Sequence, residues 1–325
     1  MLLLNNLEKP KSTGDIALKF LQRTIKITLV LICILTVIFG LGLPTLVKAA
    51  ASSITLVSVD SSGTQSNNDS NEKPYISADG RYVVFTSSAT NLVPNDTNGN
   101  SDIFVHDITT GATTRVSVDS SGNQGNSSSF FPSLSADGRY VAFVSDATNL
   151  VAGDTNGAQD IFLHNRATGA TTRVSVASDG TQGNGSSYYP SISSDGRYVV
   201  FYSTASNLVA GDSNGVHDVF VHDRTTGITT RVSVDSSGTQ ANGISTYPFI
   251  SADGQYVAFA SDASNLVAGD TNGRSDIFVH DRTTGATTRV SVDSSGMEGN
   301  NNSNNQPSIS ADGRYVVFSS SASNL

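Results

Sequence analysis

The sequence predicts an all-β protein, a β-propeller of four-stranded antiparallel blades, and three observations carry that prediction. The first is a period. An acidic loop of the form "DTNG" begins at Asp96, Asp154, Asp212 and Asp270, each 58 residues after the last, a step of the length that solenoids and propellers use. The second is the content of one repeat, which reads as four short β-branched or aromatic runs separated by Gly-containing turns. The third is that no segment after residue 50 has apolar residues at helical spacing.

The N-terminus stands apart from the repeats. Lys9, Lys11, Lys19, Arg23 and Lys26 precede an uncharged run from Ile27 to Val47, followed by the small residues "KAAASS". That order is the pattern of a secretory signal peptide, with cleavage expected after Ala49. The 21-residue run is also long enough to anchor the chain in a bilayer, so residues 1–49 are a signal peptide or an N-terminal anchor formed by residues 27–47. Either reading exports residues 50–325, to the periplasm or outside the cell, with any membrane contact confined to the N-terminal segment. The single cysteine, Cys33, lies in that segment, so the remainder has neither a disulfide framework nor a thiolate metal site.

Within the exported part, Ile54–Asp60 "ITLVSVD" reads as a lone fourth strand. The repeat that follows is clearest from Pro132. "PSLS" is a first strand, and "ADGR" supplies an Asp-Gly pair expected to form a two-residue hairpin with positive φ at both positions. "YVAFVS" and "DIFLHN" are central strands, apolar on both faces because sheets stack on either side. "RATG" is a turn, and "ATTRVSV" a β-branched fourth strand. Four such blades are complete. A final "PSISADGRYVVFSSSASNL" supplies two strands more. A closed ring would join these to the lone N-terminal strand as an incomplete composite blade, giving five blades or a truncated version of a larger ring; truncation is the expectation.

"SISADGRYVVF" followed by "DIFVHDRTTGATTRVS" resembles the TolB-like, WD-repeat-like β-propeller family. The resemblance spans about residues 55–325 and implies the propeller fold. For function it implies little, because such blades serve envelope proteins, peptidase-associated domains and other exported proteins.

Charge narrows the partners. The chain has 19 Lys and Arg against 28 Asp and Glu, for a net charge of −9; removal of the N-terminal segment takes away more bases than acids. Nucleic acid is therefore not an expected partner. With strand-end residues assigned to the nearer rim, the hairpin side carries +3 and the side bearing the "DTNG" loops −16. The acidic loop face is expected to be the working surface, binding a protein or envelope component.

Each acidic loop has the form Asp-x-Asn-Gly-x-x-Asp. The carboxylates and amides of Asp96, Asn98 and Asp102, of Asp154, Asn156 and Asp160, of Asp212, Asn214 and Asp218, and of Asp270, Asn272 and Asp276 are hard oxygen donors of the kind Ca²⁺ takes. The same residues also form an Asx turn without any metal. His106, His164, His222 and His280 recur at one strand position, which distributes them around a ring and argues for packing and against a catalytic triad. Glu72 and Glu298 are the main acids outside the repeat pattern, too few to define the acid and base of a glycosidase. No catalytic or cofactor-binding residue is assigned. The function read from sequence is a non-catalytic exported binding or scaffold module; the alternatives are a glycan-active enzyme on a propeller scaffold and a structural fragment.

Overall fold

The computed structural model describes residues 54–325; the expected signal peptide or anchor and its cleavage point lie outside them. The described residues form eighteen strands and no helix, and those from Val57 onward make one compact unit. The first blade is β1 (Ser70–Ile76), β2 (Tyr82–Ser87), β3 (Asp102–Asp107) and β4 (Thr113–Arg115). The second is β5 (Ser129–Leu134), β6 (Tyr140–Ser145), β7 (Asp160–Asn165) and β8 (Ala170–Arg173). The third is β9 (Ser187–Ile192), β10 (Tyr198–Ser203), β11 (Asp218–Asp223) and β12 (Ile228–Arg231). The fourth is β13 (Ser245–Ile250), β14 (Tyr256–Ser261), β15 (Asp276–Asp281) and β16 (Thr287–Arg289). Each is an antiparallel meander in sequence order, and β17 (Asn305–Ile309) and β18 (Val316–Ser319) form a two-stranded fifth sheet.

The four strands expected in each complete blade and the two of the final segment are present, while the lone strand expected over Ile54–Asp60 is absent, and two further details differ. The fourth strand stops at Arg173 instead of running through "VSV", because Val176 leaves the sheet to bridge Gln182 while the Ser175 hydroxyl bonds Asp160. By the same geometry Val59 bridges Gln65, and Ile54–Leu56 form no strand. The Asp-Gly hairpin also differs from expectation. Only the glycine has positive φ, 69° at Gly138; the turn closes through Gly138 N–H to Ser135 C=O at 2.9 Å, and the Asp137 carboxylate accepts from the Ser135 hydroxyl and the Arg139 amide. An Asp side chain that satisfies local donors makes a second left-handed residue unnecessary.

The core lies between blades. Val84, Ile103, Val105 and Val116 of the first blade pack against Val141, Phe143 and Phe162 of the second, and the pattern recurs at the next junctions. Buried serines are paired, as in Ser129 with Ser145 at 2.9 Å, which is how a Ser-rich chain keeps its buried polar groups bonded. Successive hairpins are joined by backbone bonds from Ala78 to Ala136, Ala136 to Ser194, Ser194 to Ala252 and Ala252 to Ala311. The fifth sheet is held by the fourth blade through that last bond.

Candidate functional site

The four acidic loops fold alike. Asp96 and Asp102 converge on one guanidinium, with Arg115 Nη1 at 3.2 and 3.3 Å. Arg173 sits at 3.5 and 3.2 Å from Asp154 and Asp160, Arg231 at 3.2 and 3.4 Å from Asp212 and Asp218, and Arg289 at 3.3 and 3.5 Å from Asp270 and Asp276. The Asn98 amide nitrogen donates to Asp102 at 3.3 Å and to Gly125 C=O at 2.9 Å, and its oxygen accepts from the Asn100 amide; Asn156, Asn214 and Asn272 do the same in their repeats. The Asp-x-Asn-Gly-x-x-Asp residues are thus brought together as the sequence predicts, around an arginine that its spacing did not single out. Burial raises the pKa of Asp96, Asp102, Asp154, Asp160, Asp212 and Asp270 above the usual carboxylate value. Two carboxylates facing one guanidinium leave each loop one net negative charge, and in the fourth repeat Glu298 joins the cluster, 2.8 Å from Arg289.

These contacts correct the charge division. Arg115, Arg173, Arg231 and Arg289 belong to the loop rim and not to the hairpin rim, which changes the balance from −16 against +3 to −12 against −1. The loop face remains the acidic one.

The recurring histidines are structural. His164 Nδ1 lies 2.9 Å from the Thr171 hydroxyl, which donates to Val118 C=O of the preceding repeat at 2.5 Å. His106, His222 and His280 make the same relay through Thr113, Thr229 and Thr287. Desolvation lowers all four, His164 to about 4, so each is a neutral donor tying one repeat to the next.

The channel shows what sequence reasoning missed. The innermost strands of all five sheets line one opening, and the residue before the strand proline faces it in each: Lys73, Phe131, Tyr189, Tyr247 and Gln306. Phe131, Tyr189 and Tyr247 have φ of 49°, 49° and 51°. Positive φ is an outlier for a bulky residue and is further disfavoured before proline. A register shift in each strand, such as that between Phe130 and Ser133, accommodates it and turns the ring into the channel. Strain of this kind concentrates where function requires it.

The cluster is also asymmetric. Phe131 stacks on Tyr189 at 4.1 Å, and Tyr189 meets Tyr247 at 5.0 Å and Tyr202 at 5.9 Å. Tyr202 and Tyr188 flank His217 at 5.4 and 6.2 Å. Burial pushes the Tyr202 phenol up and His217 down. Glu72 Oε2 accepts from the Phe131 amide at 2.8 Å and the Thr86 hydroxyl at 3.0 Å, so this non-repeated acid holds the channel wall, while Glu298 lies in the fourth acidic loop. The available signal was the proline that recurs in every first strand, preceded by Lys73, Phe131, Tyr189, Tyr247 and Gln306.

No family model matches the chain, and no curated protein sequence matches it. Among solved structures it is similar to TolB from Acinetobacter baumannii, with 19% identity, 77% of this chain and 48% of that chain covered and a TM-score of 0.47. It is similar to a protein described as TolB of Agrobacterium tumefaciens at 18% identity, 77% and 75% coverage and a TM-score of 0.47. An oligogalacturonate lyase in complex with manganese is similar at 16% identity, 77% and 61% coverage and a TM-score of 0.45. The chain spans about half the length of the Acinetobacter TolB. It is an all-β propeller of repeated four-stranded antiparallel sheets, with TolB proteins among its structural neighbours.

Proposed function

We propose that this chain is an exported, non-catalytic binding module whose site is the channel mouth on the acidic loop face. The observation that supports this best is the set of three aromatic residues, Phe131, Tyr189 and Tyr247, held at positive φ with their rings lining the opening. Tyr and Phe supply large contact area at low entropic cost, and an acidic rim attracts a basic partner and orients it. The partner is a protein or envelope component that presents a basic surface around an apolar or aromatic side chain able to enter the channel.

Calcium at the four loops belongs to the same proposal as a conditional element. A cation would bind there by displacing the guanidinium and rotating the asparagine amide, so occupancy would be coupled to movement of the loop arginines.

The test is capture of envelope fractions by the exported domain, in parallel with Tyr189→Ala and Tyr247→Ala. Specific capture that is lost in both variants and weakened by salt supports the reading; equal capture by all three proteins refutes the channel mouth as the site.

A further inference from the structure

The wall of the channel is neutral but for one group. Lys73 is the only charged side chain among the residues that line the opening, and among the described residues its ammonium makes no ion pair. The acid beside it in sequence is engaged elsewhere. Glu72 Oε2 accepts from the Phe131 amide and the Thr86 hydroxyl, which leaves Lys73 as a point charge among aromatic, proline and small polar side chains, a setting that favours an anion.

Glu72 also shows what the wall accepts. Its φ is 66°, the left-handed backbone that Phe131, Tyr189 and Tyr247 have in the blades that follow, and its carboxylate reaches the N–H of the next left-handed residue at 2.8 Å. At the two junctions after that, the left-handed residue is Phe131 and then Tyr189. Each meets the following residue ring against ring and brings no carboxylate to Tyr189 N–H or Tyr247 N–H. Both amides fall inside the register shifts of β9 and β13, away from the regular pairing with β10 and β14. The channel therefore repeats, beside Tyr189 and Tyr247, the kind of backbone amide that already holds a carboxylate at Phe131.

The rim decides what carries the anion. The loop face is the acidic one, so it repels a small free acid and admits an acid attached to a basic body. We propose that the channel takes the C-terminal carboxylate of a basic polypeptide whose last residue is apolar or aromatic. The carboxylate pairs with Lys73 and a left-handed amide of the wall, the terminal side chain packs on Tyr189 and Tyr247, and the preceding basic residues lie along the acidic loops. Backbone N–H groups capture C-terminal carboxylates in other peptide-recognition sites. The inference rests on the channel mouth being the partner site, and it names the part of the partner that enters.

The probe is a synthetic library of acetylated peptides, Lys-Lys followed by varied residues and a free C-terminus, screened on the immobilised protein. The tightest binders are remade as acids and as C-terminal amides for titration calorimetry. The acids should bind saturably and one to one, and amidation should weaken them at least about tenfold, the weight of one hydrogen bond to a charged group. Lys73→Met should cost the acid a similar factor and leave the amide unchanged, while Lys73→Arg should retain most of the affinity. Tyr189→Ala should weaken acid and amide alike. If Tyr189→Ala weakens binding but acid and amide bind equally, the channel reading stands and the carboxylate inference is overturned; if neither Tyr189→Ala nor Lys73→Met changes binding, both are overturned. Phenylpropanoate is the free small acid, and binding as tight as that of the peptides would overturn a polypeptide as the ligand. A screen that yields no saturable binder overturns the inference and leaves the channel mouth to the envelope-capture test.

Discussion

Tyr82 of the first blade lies against Gly138 of the second, and the Arg166 guanidinium covers its ring at 4.2 Å while donating to Gly138 C=O at 2.6 Å. The same triplet joins Tyr140, Gly196 and Arg224, and then Tyr198, Gly254 and Arg282. At the open end the partners are separate. Tyr315 is 66% exposed, and Gly80 faces open space.

That contrast gives a matched pair of substitutions. Gly80→Ala should cost about 1 kcal/mol, the penalty of a left-handed residue with a Cβ. Gly138→Ala should cost about 2–3 kcal/mol, since its Cβ would also collide with the Tyr82 ring. Urea denaturation of the two variants measures the difference; equal losses would mean that the Tyr-Gly contact contributes nothing.

At Tyr247 the usual order of helix and strand formers should be inverted. With φ at 51°, Tyr247→Gly should be more stable than Tyr247→Ala by about 1 kcal/mol, although both lose the ring. Thermal unfolding of both variants tests the strain, and an Ala variant as stable as the Gly variant would remove it.

The histidine relay should make stability sensitive to acid. A folded-state pKa near 4 for His164 against an ordinary 6.5 means that the unfolded chain binds the proton first as pH falls. The contribution of the neutral ring is fully present above about pH 6.5 and is lost progressively toward pH 4. Buried loop aspartates with raised pKa act in the opposite sense, so the histidine part is read as a difference from His164→Asn, whose amide can still donate to Thr171. Wild type should lose about 3 kcal/mol relative to that variant across this window; parallel pH profiles would refute the assignment.

The loop arginines allow the calcium element to be tested. Arg173→Ala leaves Asp154 and Asp160 facing each other without a counter-charge and should cost about 3 kcal/mol. Millimolar Ca²⁺ should then restore part of the lost melting temperature by binding the folded state, more than Mg²⁺ does, because the site offers flexible oxygen donors. Identical, salt-like effects of both ions would exclude a Ca²⁺ site even with the arginine removed.

The sequence by itself determined the propeller, its blade boundaries and the convergence of Asp154, Asn156 and Asp160, because these depend on local alternation, turn residues and a period that one chain displays five times. It also identified the histidines as packing residues, since equivalent positions on separate blades cannot gather at one point. Tertiary structure decided which rim each arginine serves: Arg173 ends a strand, and only the curl of the loop back over that strand brings Asp154 within 3.5 Å. It decided as well that the residues before the strand prolines form the channel wall. Phe131, Tyr189 and Tyr247 are 58 residues apart in sequence and become neighbours because the innermost strands of successive blades converge on one axis. Their left-handed backbone accompanies the register shift in each strand and reflects no local preference, since phenylalanine and tyrosine before proline favour extended conformations.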